Sequence, residues 1–210
     1  MTTKQRVYVL VFAGVMLLAC VGVFAYIIVV SVKSTIAQVK APPPQEDRKL
    51  VVTAEDLQRF GAGVIVAEHE TFSSTKSIDG TRMVEYEYTF PATEGKSRIY
   101  IQSTAQIFAQ SLSTMQMFKM QQLALKGGLA VAGETTQEPA PALVNVGDGR
   151  FAMRLKSKKT GEPVGNVFMI RQGRAMLTVI VVGLTFDDAE TVEKLIGPAL
   201  AEQKRRFVKG

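Results

Sequence analysis

The one histidine of the chain, His69, lies between Glu68 and Glu70 and shortly before Ser73 and Ser74. A serine, a histidine and a carboxylate make a nucleophilic triad when a fold brings them together. The sequence has no Gly-x-Ser-x-Gly turn to present a serine nucleophile, and it has no second histidine or neighbouring cysteine to complete a zinc site. We therefore interpret His69 as an ordinary strand residue and predict that the protein is not an enzyme.

Two other patterns favour structural explanations. Gly147-Asp148-Gly149 is too short for a phosphate-binding loop and does not join a strand to a helix, so it indicates a tight turn. Glu85 and Glu87 alternate with apolar residues along a strand, so both carboxylates are expected on its solvent side, which argues against paired acid–base catalysis. We predict no cofactor and no metal ion.

Basic residues near the end of the chain form a first candidate interaction surface. Alternation along a strand places Arg154, Lys156 and Lys158 on one side. The net charge is +5 from Gly147 onward, against −3 for residues 50–146. A docking surface for anionic lipid or an acidic protein is one interpretation, and a solvated face is the other. The full basic set is Arg154, Lys156, Lys158, Lys159, Arg171 and Arg174.

Methionines on a predicted helix form a second candidate surface. Phe108, Leu112 and Met115 have the spacing of a core-facing stripe. Met117 and Met120 fall partly outside that stripe, and methionine-rich surfaces adapt well to protein partners. Filling of the core is the alternative interpretation for both methionines.

The elements that must position these residues follow the order of an α+β fold. Residues 133–142 are predicted to form a loop. The predicted helices cover residues 54–60, 104–126 and 187–207, the last kinked or split at Gly197-Pro198. The predicted strands cover residues 64–78, 81–90, 98–103, 129–132, 151–157, 164–171 and 175–182. The last is almost wholly apolar and β-branched, so we expect it to be a central strand covered on both faces. We expect an antiparallel sheet with the two long helices packed on it.

An apolar run precedes this domain. Residues 7–32 contain no charged residue and no proline; as a helix they would extend about 39 Å, enough for a hydrocarbon core of about 30 Å. We predict a single transmembrane helix acting as a signal anchor, so the expected fold class is α+β with an N-terminal span. Residues 1–6 are then a short tail, and residues 33–49 a proline-rich linker to a soluble domain over residues 50–210. A cleaved signal peptide and a lipoprotein signal at Cys20 are the alternatives.

The distribution of charge bears on location and partners. Residues 1–49 hold six lysines and arginines against two acidic residues. This excess flanks the apolar run, where it would meet lipid headgroups, and not the folded domain, so we predict no nucleic-acid binding. A short basic tail before one long span favours a cytoplasmic N-terminus and a periplasmic domain at the inner membrane, although the basic residues beyond the span favour the opposite orientation.

Two segments carry a resemblance to a known family. They are Asn145-Val146-Gly147-Asp148-Gly149-Arg150-Phe151 and Gly165-Asn166-Val167-Phe168-Met169-Ile170-Arg171-Gln172-Gly173, which look like a glycine-aspartate turn leading into paired strands. With the order of elements, they make residues 80–207 resemble the PsbP-like α/β/α sandwich of photosystem extrinsic proteins and bacterial envelope lipoproteins. The resemblance implies an accessory or binding role and assigns no functional residue.

Together these observations favour a membrane-anchored, non-catalytic interaction module. We expect an accessory subunit or assembly factor of a membrane or envelope protein complex, in contact with the bilayer through residues 7–32 and with one or more protein partners. The alternative is an extracytoplasmic ligand-binding or sensor domain that acts through a partner.

Overall fold

The computed structural model describes residues 43–63, 69–91, 98–131 and 135–208. They belong to one compact unit that begins at Pro43. The predicted tail, the predicted span and residues 33–42 of the predicted linker lie outside the described residues. The last part of that linker, Gln45–Leu50, forms a 3-10 helix (η1) in which Asp47 and Leu50 are buried, so the folded unit begins before residue 50.

The described strands form one antiparallel sheet flanked by helices. After η1, the helices are α1 (Ala54–Gln58), α2 (Ser111–Val131), the 3-10 helix η2 (Pro141–Leu143) and α3 (Ala189–Phe207). The strands are β1 (Glu70–Lys76), β2 (Arg82–Phe90), β3 (Ile99–Ile107), β4 (Thr135–Pro139), β5 (Gly149–Ser157), β6 (Pro163–Gln172) and β7 (Ala175–Val182). Within the described ranges the order is β1-β2-β3-β7-β6-β5-β4, which is an α+β arrangement with seven strands.

The expected fold class needs a correction, because it included a transmembrane helix. Among the described residues, no helix is both long enough and apolar enough to cross a membrane. The longest one, α2, has lysine and glutamine side chains among its apolar residues, and such groups are costly in hydrocarbon. The fold class that the structure supports is therefore an α+β domain with a seven-stranded antiparallel sheet and no spanning helix in the part it describes.

Alternation along the strands builds the core as the sequence predicts. Val84, Tyr86, Tyr88 and Phe90 of β2 are all buried, and the residues between them face the other side of the sheet. Strand β7 has the predicted bounds and lies at the centre of the sheet, between β3 and β6. Most of its apolar residues are buried, and Ile180 and Val182 are partly buried, because both faces of a central strand are covered.

The two long helices cover opposite faces of the sheet. Along β6, Phe168 and Ile170 belong to a cluster that also contains Leu195 of α3, together with residues of η1 and α1. The alternate residues Val167 and Met169 pack in a second cluster with Phe118 of α2. Since successive side chains on a strand point to opposite faces, α3 and α2 sandwich the sheet.

Several predicted bounds were wrong. Strand β3 continues to Ile107, so the long helix begins at Ser111 and not at Thr104, and it runs through Gly127-Gly128 to Val131. The strand predicted at 129–132 is therefore helical as far as it is described. The edge strand β4 occupies part of the loop predicted at 133–142, because Thr135 to Pro139 pair with β5.

The β1–β2 connection and the last helix also differ from the prediction. The connection between β1 and β2 is a five-residue loop around Asp79-Gly80, closed by a hydrogen bond from the Ser77 amide to the Thr81 carbonyl (2.8 Å). Helix α3 is capped by the carboxylate of Asp188, which accepts the Thr191 N–H at 2.7 Å. It continues through Pro198 as one helix, so the predicted split is absent.

Candidate functional site

The residues that suggested a triad have other partners. The Ser74 hydroxyl donates to the buried carboxylate of Asp47 at 2.6 Å, and the Ser73 hydroxyl lies 3.4 Å from the Glu85 carboxylate. His69 lies just before β1, so it is not the strand residue that the sequence predicts. It is exposed, with its ring centroid 6.4 Å from that of Tyr88. Among the described contacts no hydrogen bond joins His69 to either serine.

Gly147-Asp148-Gly149 forms a tight turn locked to the β6–β7 hairpin. Gly147 has a positive φ of 90°, and a Cβ there would lie 2.8 Å from the Arg171 carbonyl oxygen. The Asp148 N–H donates to that carbonyl at 2.8 Å, and the Asp148 carboxylate accepts the Gly173 N–H at 2.7 Å. The polar groups of this turn serve the fold and leave no cradle for phosphate.

Three members of the basic set form ion pairs with acidic residues of other segments. Arg154 forms an ion pair with Asp187 at 2.9 Å, and Lys156 forms one with Glu138. Arg171 lies 3.9 Å from the Asp148 carboxylate. These pairs reduce the positive charge that the surface offers to an anion.

The remaining members of the basic set do not complete a ribbon. Arg174 donates from Nε to the Phe207 carbonyl at 2.9 Å, at the end of α3. Lys158 and Lys159 lie exposed in the turn after β5, without an acidic partner in the described part of the chain. Arg154 alternates with Met153 and so lies on the α3 side of the sheet, whereas Arg171 has the parity of Met169 and lies on the α2 side. The six residues are therefore spread over both faces.

The two methionines of the second candidate surface have different environments. Met120 is 62% exposed, whereas Met117 is half-buried against the cluster around Phe118. The stripe expected to face the core does so only in part: Leu112 and Met115 are exposed, whereas Phe108 is buried but precedes the helix.

Four large apolar side chains project outward from α2. Leu112, Met115, Met120 and Leu123 are 60%, 40%, 62% and 71% exposed. At 3.6 residues per turn they fall within an arc of about 140° that also contains the exposed Gln116 and Lys119. Leu112, Met120 and Leu123 point away from Phe118, and Met115 lies at the edge of the arc, about 60° from Phe118. We call these four residues the α2 face.

Polar contacts and packing on the inner side of α2 fix the direction of this face. The Gln121 amide donates to the Gln106 side-chain oxygen on β3 at 2.8 Å, and the buried Thr114 hydroxyl donates to the Gln110 carbonyl at 3.1 Å. Phe118 and Leu125 pack in the cluster between helix and sheet. Because the inner side is held in place by these contacts, the helix cannot turn the α2 face inward without breaking them.

An open groove lies beside the first half of α2. It has a volume of about 630 Å³ and runs between the helix and the β1–β2 loop. Met83, Phe108, Met117 and Met120 supply its apolar lining. Its polar lining comes from Ser77, Asp79, Thr81, Gln106, Gln110, Ser113 and Gln116. We call this feature the α2 groove.

Three titratable groups on the α2 side of the sheet, Glu85, Glu87 and Tyr100, form no catalytic arrangement with one another. Glu85 and Glu87 are exposed, in the position expected from the sequence. Burial and the adjacent charge of Glu87 raise the pKa of Tyr100 to about 12, so this phenol stays neutral. No group of three or more His, Cys, Asp or Glu side chains that could hold a metal ion occurs within the described ranges.

Reasoning from the sequence missed Leu112, Met115 and Leu123 as candidate contact residues. The inner stripe of α2 is Thr114, Phe118, Gln121 and Leu125, and its two polar members conceal it in a hydrophobicity pattern. One signal was available: the chain has no Asp or Glu between Glu94 and Glu134. Solvent-facing sides of helices are usually rich in charge, so this absence marks an unusual helix surface.

No family model, no curated protein and no solved structure matches the chain. The resemblance to the PsbP-like sandwich therefore remains a prediction from the sequence.

Proposed function

We propose that this protein is a non-catalytic interaction module and that the α2 face binds a protein partner. The observation that carries the proposal is the exposure of four large apolar side chains on one side of a single helix. Large apolar side chains grouped on one side of a helix favour a contact site, whereas single exposed apolar residues are ordinary. Burial of one such side chain contributes about 1.5–3 kcal/mol, so a partner that covers the face gains affinity from each of them.

The firm attachment of α2 to the sheet also supports a binding role. A rigid surface loses little conformational entropy on association. Flexible methionine side chains on a rigid helix add local adaptability, because an unbranched thioether fits many surface shapes. The face thus combines a fixed backbone with adaptable contact atoms.

We extend the proposal to the setting in which the module acts. The apolar, charge-free run of residues 7–32 favours membrane localisation, and a periplasmic domain at the inner membrane follows from the short basic tail. In that setting the module would be an accessory subunit or assembly factor of an envelope protein complex.

The α2 groove favours a second candidate function, the binding of a small ligand. Its volume of about 630 Å³ falls within the range of ligand sites, and it combines apolar and polar lining residues. A ligand-binding domain would still need a partner to act through.

The substitution Leu123→Asp tests the α2 face. The variant places a charge on the most exposed of the four residues of the α2 face and leaves the inner stripe intact. We expect the amount of protein that is cross-linked to the chain and purified with it to fall about tenfold in the variant. A loss of about 1.4 kcal/mol of binding free energy would produce this change. Quantitative mass spectrometry of the full chain and its variant measures the change.

Ala201→Asp is the matched control, because it introduces the same charge at an exposed position of α3, on the other face of the sheet. It should retain the proteins recovered with the unaltered chain. If Leu123→Asp retains them as well, the α2 face is not the contact surface and the proposal is wrong.

A further inference from the structure

The charge around the α2 face indicates the kind of partner that fits it. Helix α2 contains Lys119 and Lys126 and no acidic residue. Lys119 is exposed and lies within the angular range of the α2 face, and Lys126 is exposed with its Nζ 5.8 Å from the centroid of the Phe151 ring. Neither lysine has an acidic partner in the described part of the chain. The face is thus apolar and cationic.

This charge argues against a second copy of the chain as the occupant. Two α2 faces packed against each other would bring like charges together, which opposes association. An acidic segment has the opposite effect, because its carboxylates would pair with Lys119 and Lys126 beside the apolar side chains of the face.

The shape of the surface indicates a helix with one protruding anchor. Leu112 to Leu123 extend about 16 Å along the helix axis, which matches about three turns of a partner helix. Anchors at i, i+3, i+4 and i+7 are the usual way in which an amphipathic helix occupies an apolar groove. The α2 groove, with Met83, Phe108 and Met117 in its lining, is large enough to receive an aromatic side chain.

Resting on the proposed function, we infer that the partner segment is an acidic amphipathic helix that packs along the α2 face and inserts one large apolar side chain into the α2 groove. A lipid surface is the competing occupant of an apolar and cationic helix face. The recessed, polar-rimmed groove favours the helix, because a flat bilayer surface leaves a recess unfilled.

Two synthetic peptides test the inference on the full chain. Both are helix-forming, with phenylalanine or leucine at i, i+3, i+4 and i+7; one carries glutamates on its flanks and the other carries lysines at the same positions. We expect the acidic peptide to bind about tenfold more tightly in fluorescence anisotropy, since it gains two exposed ion pairs where the basic peptide meets repulsion. Replacement by alanine of the phenylalanine that inserts into the α2 groove should weaken binding of the acidic peptide about tenfold.

Variants of the chain separate the inference from the proposed function. The double variant Lys119→Glu and Lys126→Glu should reverse the preference between the peptides. Leu123→Asp should abolish binding of the acidic peptide, and Ala201→Asp should leave it unchanged. If both peptides bind equally and Leu123→Asp abolishes both, the α2 face is a contact surface but the acidic partner is wrong. If the acidic peptide binds Leu123→Asp as well as the unaltered chain, it does not bind at the α2 face and the inference is wrong; the proposed function is wrong as well only if Leu123→Asp also retains the co-purified proteins.

Absence of binding by either peptide would overturn the inference. Phosphatidylcholine vesicles with and without phosphatidylglycerol then test the competing occupant. A loss of vesicle binding in Leu123→Asp, with no binding of peptide, would assign the α2 face to an anionic lipid surface.

Discussion

Glu202, near the end of α3, is held by two arginines of its own helix. Its carboxylate accepts hydrogen bonds from Arg205 at 2.7 and 2.8 Å and from Arg206 Nε at 2.6 Å. The hydrogen bonds from Arg205, followed by those from Arg206 and the charges of both, lower the pKa of Glu202 to about 2. Its ionised form is therefore favoured in the folded state.

The pH dependence of the free energy of unfolding should report the ionisation of Glu202. Because the pKa of Glu202 is lower in the folded chain than in the unfolded chain, its contribution to the free energy of unfolding is complete above about pH 4.5 and is lost as the pH falls toward 2. We expect Glu202→Gln to lose less stability than the unaltered chain between pH 5 and about pH 2.5. Urea denaturation at the two pH values measures the difference.

Glu193→Gln is the control, because Glu193 is an exposed glutamate of the same helix without an ion pair among the described residues. It should follow the pH dependence of the unaltered chain. An identical pH dependence for Glu202→Gln and the unaltered chain would contradict the role of Glu202.

At the scale of elements, the centre of the sheet depends on one close approach of two strands. Gly165 of β6 lies beside Val182 of β7. A Cβ at Gly165 would lie 2.1 Å from the Val181 carbonyl oxygen, which is backbone and cannot move aside as a side chain would. Glycine in a strand often marks such an approach.

Two glycine-to-alanine substitutions with opposite effects test this reading. Gly165→Ala should lower the free energy of unfolding by about 2 kcal/mol or more, because β6 and β7 must separate locally. Gly127→Ala in α2 should raise it by about 0.5–1 kcal/mol, because an exposed helical glycine with open space around it gains helix propensity. Urea denaturation of both variants gives the two values, and a neutral Gly165→Ala would show that the strands do not need this approach.

At the scale of the whole molecule, one buried carboxylate joins three distant parts of the chain. Asp47 of η1 is 1% exposed. It accepts hydrogen bonds from Arg82 at 2.9 Å, at the start of β2, and from Arg206 at 3.3 Å, in the last turn of α3. Ser74 of β1 adds the hydroxyl contact described above. Segment 43–50 is thereby tied to the sheet and to the last helix.

Asp47→Asn should destabilise the folded unit by about 2 kcal/mol. The asparagine keeps the shape of the side chain but removes the carboxylate that Arg82 and Arg206 share. Because Arg206 keeps its pair with Glu202 and both arginines are partly exposed, the loss is smaller than for a fully buried pair. Glu190→Gln, which removes an exposed pair with Lys194, should change stability by less than about 0.5 kcal/mol. Equal effects in chemical denaturation would contradict the structural role of Asp47.

Prediction succeeded where local pattern and tertiary environment agree. The alternation of β2 identifies its buried face, and the apolar, β-branched run of β7 identifies a central strand, because period-2 burial is written directly into side-chain type. The bounds of β3 and α2 were wrong because residues 104–107 have side chains that suit either element. Pairing with β7 settles their conformation, and pairing between distant segments leaves no local signature.

The candidate site followed the same division. The sequence predicted Met120 as a contact residue because it lies off the expected core-facing stripe. It did not predict Leu112, Met115 and Leu123, because the stripe was assumed to start at Phe108, and Phe108 lies before the helix. The basic set appeared continuous because alternation along a strand predicts that its basic side chains share one side. Alternation does not predict the acidic residues of other segments, such as Asp187 and Glu138, that pair with them.

The sequence alone determined the α+β order of elements, the buried face of β2, the central position of β7 and the absence of acidic residues from α2. Side-chain type and local spacing decide these properties, so they can be read without a partner segment. Tertiary structure alone decided which side of α2 meets the sheet and which is left bare. That choice depends on contacts such as Gln121 with Gln106, in which residues far apart in the chain satisfy each other's polar groups and so fix the direction in which the apolar face points.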